Sequence, residues 1–231
     1  MAERCLAADP AEVVRLASAF IEELSRRGIV AGAKHFPGLG GALVDPHFSL
    51  PRIDRTKRQL LQEDVLPFTK LFDQAGIIMV SHAHYPTLGD EKPTPASLST
   101  RVIDGFLRKL GYNGLVITDD LTMGAVSSIG LKPELFLRAF EAGNDLLLFS
   151  QTTPLAEEAF KAILKAARGS AALRRRVDES VERILALKGR MEFLPLRYRT
   201  HLKARITREI EKLRKSVEPV PLPLGEGRVR V

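Results

Sequence analysis

GLVITDDLTMGA, residues 114–125, is an apolar, β-branched run that stops abruptly on two carboxylates and then turns. Upstream, KHFPGLGGALVDPHFSLPRI, residues 34–53, closes the apolar run Gly28 to Phe36 and continues as a Gly- and Pro-rich loop. Ile77 to His82 and Asp145 to Phe149 follow the same plan, so the chain shows four strand-like runs. Helical periodicity fills the intervals, predicting helices over 10–27, 57–74 (interrupted or bent near Pro67), 100–110, 133–142 and 154–168. Asp9 before Pro10 supplies a cap and a first-turn proline for the first of them. Short apolar runs alternating with amphipathic helices indicate βα units and a parallel sheet. Polar residues follow each strand, at His35, His82, Asp119 and Ser150. Barrels and doubly wound sheets keep their sites at such carboxyl ends. A closed barrel needs eight strands, so four suggest the later part of one.

Composition bounds the possibilities. At 231 residues, 45% hydrophobic and 27% charged, the chain can bury one sizeable core. No apolar run approaches the ~18–20 residues of a membrane span, and MAERCLAADP lacks the apolar stretch of a signal peptide. Cys5, the single cysteine, suits a reducing compartment, and a cytoplasmic location is expected. The net charge of +7 is unevenly placed: residues 1–160 carry −4 and residues 161–231 carry +11. The motif-bearing part is therefore mildly acidic, without the aromatic interleaving that stacks bases, and nucleic-acid binding is not expected. The boundary is expected near residue 190, with one domain over 1–190. Beyond it, 191–231 reads as a basic helical pattern (HLKARITREIEKLRKS, 201–216) and a Pro/Gly-rich tail.

Chemistry gathers on few residues. Neighbouring positions of a strand face opposite sides, so only one of Asp119 and Asp120 can face a pocket; alternatively both cap the following helix. In Asp45-Pro46-His47 the proline keeps the preceding residue extended, which puts the carboxylate and the imidazole on one side. Such a pair fixes the ring's tautomer and favours its protonated form, as a general acid requires, or is simply a loop hydrogen bond. Gly38, Gly40 and Gly41 predict a mobile approach to His47. Lys34 and His35 end a strand and offer donors to sugar hydroxyls or an anion, or form a rim pair. No metal or cofactor is expected. His82-Ala83-His84 lacks a third ligand at metal spacing, and the Gly-rich loop lacks the Walker pattern.

At these residues the chain resembles glycoside hydrolase family 3, and within it the bacterial β-N-acetylhexosaminidases that release N-acetylglucosamine from cell-wall fragments. The likeness runs from about Arg4 to about Lys188, on K-H-F-P-G at 34–38, D-x-H at 45–47 with Leu50-Pro51, and I-T-D-D-L-x-M-G-A at 117–125. Weaker echoes are Pro95 to Ser99 and Ala142 to Asp145. The resemblance implies an α/β fold of the (β/α)8 TIM-barrel type, incomplete here because the first strands and their sugar-holding acidic residue are missing. It implies a retaining mechanism with Asp119 as nucleophile, His47 as general acid/base and Asp45 as its dyad partner, a departure from the usual two carboxylates. Arg4, Lys34 and His35 match sugar-binding positions, and the implied partner is a carbohydrate, an N-acetylglucosaminyl glycoside. Leu39 and Pro46 depart from the pattern, where the family has a polar residue and a serine. A β-glucosidase or glycoside phosphorylase of the same family, and a catalytically silent fragment, are the alternatives. The oligomeric state is open.

Overall fold

In a computed structural model, which describes residues 5–150, 153–191 and 208, the chain enters through helix α1 (Pro10–Arg26). The Asp9 carboxylate accepts the Glu12 N–H at 2.9 Å, and Pro10 occupies a first-turn position whose N–H would lack an intrahelical partner. Ile21, flanked by Ala17 and Leu24, packs on Ala31 and Leu71.

Four strands follow: β1 (Gly32–Phe36), β2 (Ile77–Val80), β3 (Leu115–Asp120) and β4 (Leu146–Leu148). Their order is β1-β2-β3-β4 and every pairing is parallel. Between β1 and β2 run α2 (Lys57–Gln59), a π-helical turn over Leu60–Asp64 and α3 (Leu66–Leu71). Between β2 and β3, α4 (Thr100–Val102) continues as a π-helical segment, Ile103–Arg108. The last crossover holds α5 (Gly124–Ser127) and α6 (Pro133–Glu141), and β4 leads to α7 (Thr153–Gly169) and α8 (Ala171–Lys188). The α/β class and parallel sheet are those expected. Among the described residues the sheet is open, four strands rather than a closed barrel.

The face of the sheet that meets the crossover helices buries Phe36, Ile78, Val80 and Val116 against Phe68 and Phe106. Phe36 meets Phe68 edge-on, with ring centroids 5.4 Å apart. A second cluster joins Leu121, Val126, Phe136 and Ala139 beneath β4. Each fully buried side chain of this kind contributes about 1.5–3 kcal/mol, so the two clusters are what hold the strand ends in place.

Several boundaries differ from the sequence expectation for local reasons. β1 starts at Gly32 because Gly28 takes φ +69° and the Ile29 N–H bonds back to Leu24, closing α1. The helix expected over 57–74 is three pieces. Pro67 has no N–H to continue the ladder, and the Val65 N–H reaches back to Leu60 at 2.8 Å. β2 ends at Val80, and β3 runs past Thr118 to carry Asp119 and Asp120 on the strand itself.

Helix α8 is attached by charge. Ser180 is its one buried residue among those described, and its docking point is Asp145 at the mouth of β4. That carboxylate is fully covered and accepts from Arg108, Arg176 and Arg183 at 3.0–3.1 Å, from Ser180, and from the Val116 N–H. A buried carboxylate persists only when its lone pairs are met in this way. Residues 1–191 form one compact unit. The basic pattern over 201–216 lies outside the described residues, as does Arg4, apart from Arg208, which is helical.

Candidate active site

Among the described residues the candidates sit on two strand ends and one loop, as two pairs: Asp119 with His35, and Asp45 with His47. Asp119 and Asp120, side by side at the end of β3, have different fates. Asp120 is committed to its own turn: Oδ1 accepts the Thr122 N–H at 2.9 Å and the Thr122 hydroxyl at 2.7 Å, and Oδ2 accepts the Ser150 hydroxyl. Burial pushes this carboxyl up, but the donors from Ser150 and Thr122 outweigh it and hold it below the ordinary aspartate value. Asp119 has only the following Asp120 N–H on Oδ1, at 2.9 Å, and its Oδ2 lies 3.5 Å from His35 Nε2. Neither aspartate caps α5, whose cap is Met123 without a side-chain bond. Of the pair, Asp119 is the one with an oxygen left for chemistry.

Both strands that carry these residues are irregular where they do so. Lys34 pairs with Met79 but Phe36 with Val80, so His35 is an extra residue in β1. Ile117 pairs with Leu146 and Asp120 with Leu148, so β3 spends three steps against two of β4. Such bulges re-aim side chains and break pairing next to sites. The Thr118 hydroxyl fills the gap in the second ladder by accepting the Leu148 N–H at 3.0 Å. The Lys34–His35 and Phe36–Pro37 peptides are cis. Lys34 is exposed on β1.

His82 lies behind the carboxylates, fully buried, and its role escaped the sequence reading. Its Nε2–H donates to the Asp120 carbonyl at 2.9 Å while Nδ1 accepts the Ser97 hydroxyl at 2.7 Å, a carbonyl being able only to accept. Burial lowers its pKa, with the Asp119 charge pulling the other way, and the neutral ring that burial favours makes both bonds. His84 faces a different partner, accepting the Thr94 N–H at Nδ1. The two histidines are therefore separately employed, and no group of three or more His, Cys, Asp or Glu able to hold a metal occurs among the described residues.

Asp45 and His47 form the second pair. Asp45 Oδ1 accepts both the His47 N–H at 2.9 Å and the ring Nδ1–H at 2.6 Å. The backbone bond first, and the ring bond after it, hold the Asp45 carboxyl below its ordinary value. With Nδ1 engaged, Nε2 is the nitrogen that faces away from the dyad. Pro46 between them is buried, and its carbonyl and that of His47 accept the N–H groups of Ala125 and Gly124. The loop's approach is anchored at one end. The Gly38 carbonyl accepts the Tyr85 hydroxyl at 2.7 Å, and Leu39 and Ala42 pack on the core. Burial raises the Asp64 carboxyl beneath Gly38, Arg55 opposing the shift and Glu63 adding to it. A surface cavity between α1 and the end of α3, lined by Ser18, Ile21, Ser25, Asp73 and Gln74, contains none of these residues.

Set beside known proteins, residues 1–187 match the family model described as glycosyl hydrolase family 3 N terminal domain. A beta-hexosaminidase of Tolumonas auensis is 38% identical over 149 residues, which are 63% of this chain and 44% of that protein. The chain thus spans less than half the length of this curated relative. A glycoside hydrolase family 3 beta-N-acetylglucosaminidase from Paenibacillus sp. superposes with a TM-score of 0.73 at 31% identity, covering 96% of this chain and 38% of that one. A beta-glucoside phosphorylase superposes with a TM-score of 0.71 at 28% identity, over 79% of this chain and 34% of that one. The matched span takes in both strand ends and the Asp45–His47 loop, and the chain belongs to glycosyl hydrolase family 3, within its N-terminal domain.

Proposed function

We propose that this domain carries out retaining hydrolysis of terminal β-linked N-acetylglucosamine, of the kind found in cell-wall muropeptides. The observation that carries the reading is the division of labour on β3: Asp120 is consumed by Thr122 and Ser150, while Asp119 keeps an oxygen directed at His35. In the first step His47 Nε2–H protonates the glycosidic oxygen as an Asp119 oxygen attacks the anomeric carbon. The C–O bond to the leaving group breaks and a glycosyl ester forms. In the second, His47 takes a proton from water, which attacks the same carbon and releases Asp119. Two inversions give retention. Asp45, ionised and bonded to Nδ1–H, holds the ring's tautomer and steadies the positive charge it carries before the first step and regains in the second. Lys34, His35 and Arg4 would hold sugar hydroxyls.

The test is a fluorinated N-acetylglucosaminyl donor that forms the ester quickly and releases it slowly. A mass increase of one glycosyl unit on the peptide bearing Asp119 is expected; labelling elsewhere, or turnover undiminished in Asp119→Asn, overturns the assignment. Repeating the assay with inorganic phosphate separates hydrolysis from phosphorolysis, the alternative raised by the phosphorylase neighbour. A second reading, a catalytically silent domain, is favoured by the open four-stranded sheet. A folded chain that never acquires the label would establish it.

A further inference from the structure

We propose that Gly124 is a positioning residue for the acid/base, the point at which the His47 loop is latched to the helix that follows the strand carrying the nucleophile. This rests on the reading of His47 as acid/base. Among the described residues, two backbone hydrogen bonds tie residues 43–50 to another part of the chain: Gly124 N–H to the His47 carbonyl at 3.0 Å and Ala125 N–H to the Pro46 carbonyl at 3.1 Å. Both donors lie in the first turn of α5, where N–H groups have no intrahelical acceptor. The loop therefore uses donors that would otherwise go to water. Among the described residues its other hydrogen bonds are internal, His47 to Asp45 and Phe48 and Ser49 back to Asp45. Leu43 and Phe48 are exposed, which leaves Pro46 as the buried apolar side chain of the loop.

The latch requires glycine for space. Gly124 is not among the glycines with positive φ, so its backbone is open to any residue. A Cβ there would stand 2.5 Å from the His47 carbonyl oxygen and 2.7 Å from that of Phe48. Both are backbone atoms, not the tip of a flexible side chain, so the whole loop would have to withdraw. Asp119 lies five residues before Gly124 on the same segment, so the latch sets the separation between the two reacting groups. A misplacement of about 1 Å can cost about a hundredfold in rate.

Gly124→Ala should lower kcat on an alkyl N-acetyl-β-glucosaminide, whose leaving group needs protonation, by about ten- to a hundredfold. It should leave the dinitrophenyl glycoside nearly unaffected, and in a His47→Ala background it should cost nothing further. Equal losses on both substrates, or an additive loss in the double variant, would overturn the proposal. NMR-detected hydrogen exchange supplies an arm independent of catalysis. The Gly124 and Ala125 amides should be protected in the unmodified chain, and residues 43–50 should exchange faster in Gly124→Ala while β3 stays protected. Fast exchange at both amides in the unmodified chain, or unchanged exchange over 43–50 in the variant, refutes the latch. A chain inactive on every glycoside but showing the exchange pattern would refute the acid/base reading and leave the latch standing.

Discussion

Asp119 and His35 stand at the ends of β3 and β1, on either side of β2, with 15% and 13% of their side chains exposed, whereas Asp45 and His47 ride a loop at 48% and 59%. The first pair is built from the ladder. Strand pairing, two bulges and the buried His82 behind fix it before any substrate arrives. The second is built from one carboxylate, one proline and two borrowed amides. A nucleophile must meet one carbon along one line, and low solvation keeps it reactive. A proton donor that later serves as base toward water needs access and some travel. Under the proposed roles, rigidity and exposure are distributed accordingly.

The sharpest way to break this contrast is Asp119→Asn, which should cut turnover of a chromogenic N-acetyl-β-glucosaminide by roughly a thousandfold or more, with the melting temperature preserved. Next, His47→Ala should cost about a hundredfold on alkyl glycosides and much less on dinitrophenyl ones. Equal losses on both would remove the distinction between the two pairs. A third test addresses the rigid side. His82→Ala takes the Ser97 hydroxyl's bond and one of the two donors on the Asp120 carbonyl, the Met123 N–H remaining, and should cost about 1–3 kcal/mol in a urea melt. The same residue predicts a pH effect. Because burial lowers its pKa in the folded chain, below about pH 6.5 the unfolded chain takes up a proton that the folded one refuses. Stability should fall as the pH drops through that point, and the slope should be shallower in the variant.

The smallest effect belongs to the loop. Asp45→Asn should lose about tenfold on alkyl glycosides by releasing the ring. The Asp45 carboxyl is depressed by its bonds to His47, so its contribution is present above the ordinary aspartate value of about 3.9 and fades only as the pH falls through the lowered one. The Nδ1–H resonance of His47 should therefore persist from pH 7 to pH 5, and its loss in that range would contradict the dyad.

Much of this was readable from residue order. Alternating apolar runs and helical periods placed β1 to β4 within a few residues, and the pairing of Asp45 with His47 follows from a proline that keeps its neighbour extended. What was hidden depended on contacts between distant segments. His82 reads as one more strand-end polar residue until Ser97 and the Asp120 carbonyl are seen on either side of it. Helix α8 turns a buried serine and half-buried arginines toward Asp145 instead of an apolar stripe, so a search for hydrophobic periodicity passes over it. The bulge at His35 leaves no trace in composition, because pairing register belongs to two strands at once.

The irregular pairing of β3 with β4 has a consequence for how this sequence can change. In a regular strand, sliding by one residue exchanges the two faces, and here it would present Asp120 to the site in place of Asp119. The two are the same amino acid, so neither hydrophobicity nor charge would register the exchange, and the misaligned strand would look sound by every compositional measure. What distinguishes them is the surplus residue in β3 and the Thr118 hydroxyl that stands in for the missing rung on Leu148. Thr118→Val keeps the shape and β-branching of that side chain while removing the acceptor that pins the alignment. On the proposed mechanism, the identity of the reacting carboxylate is a matter of counting.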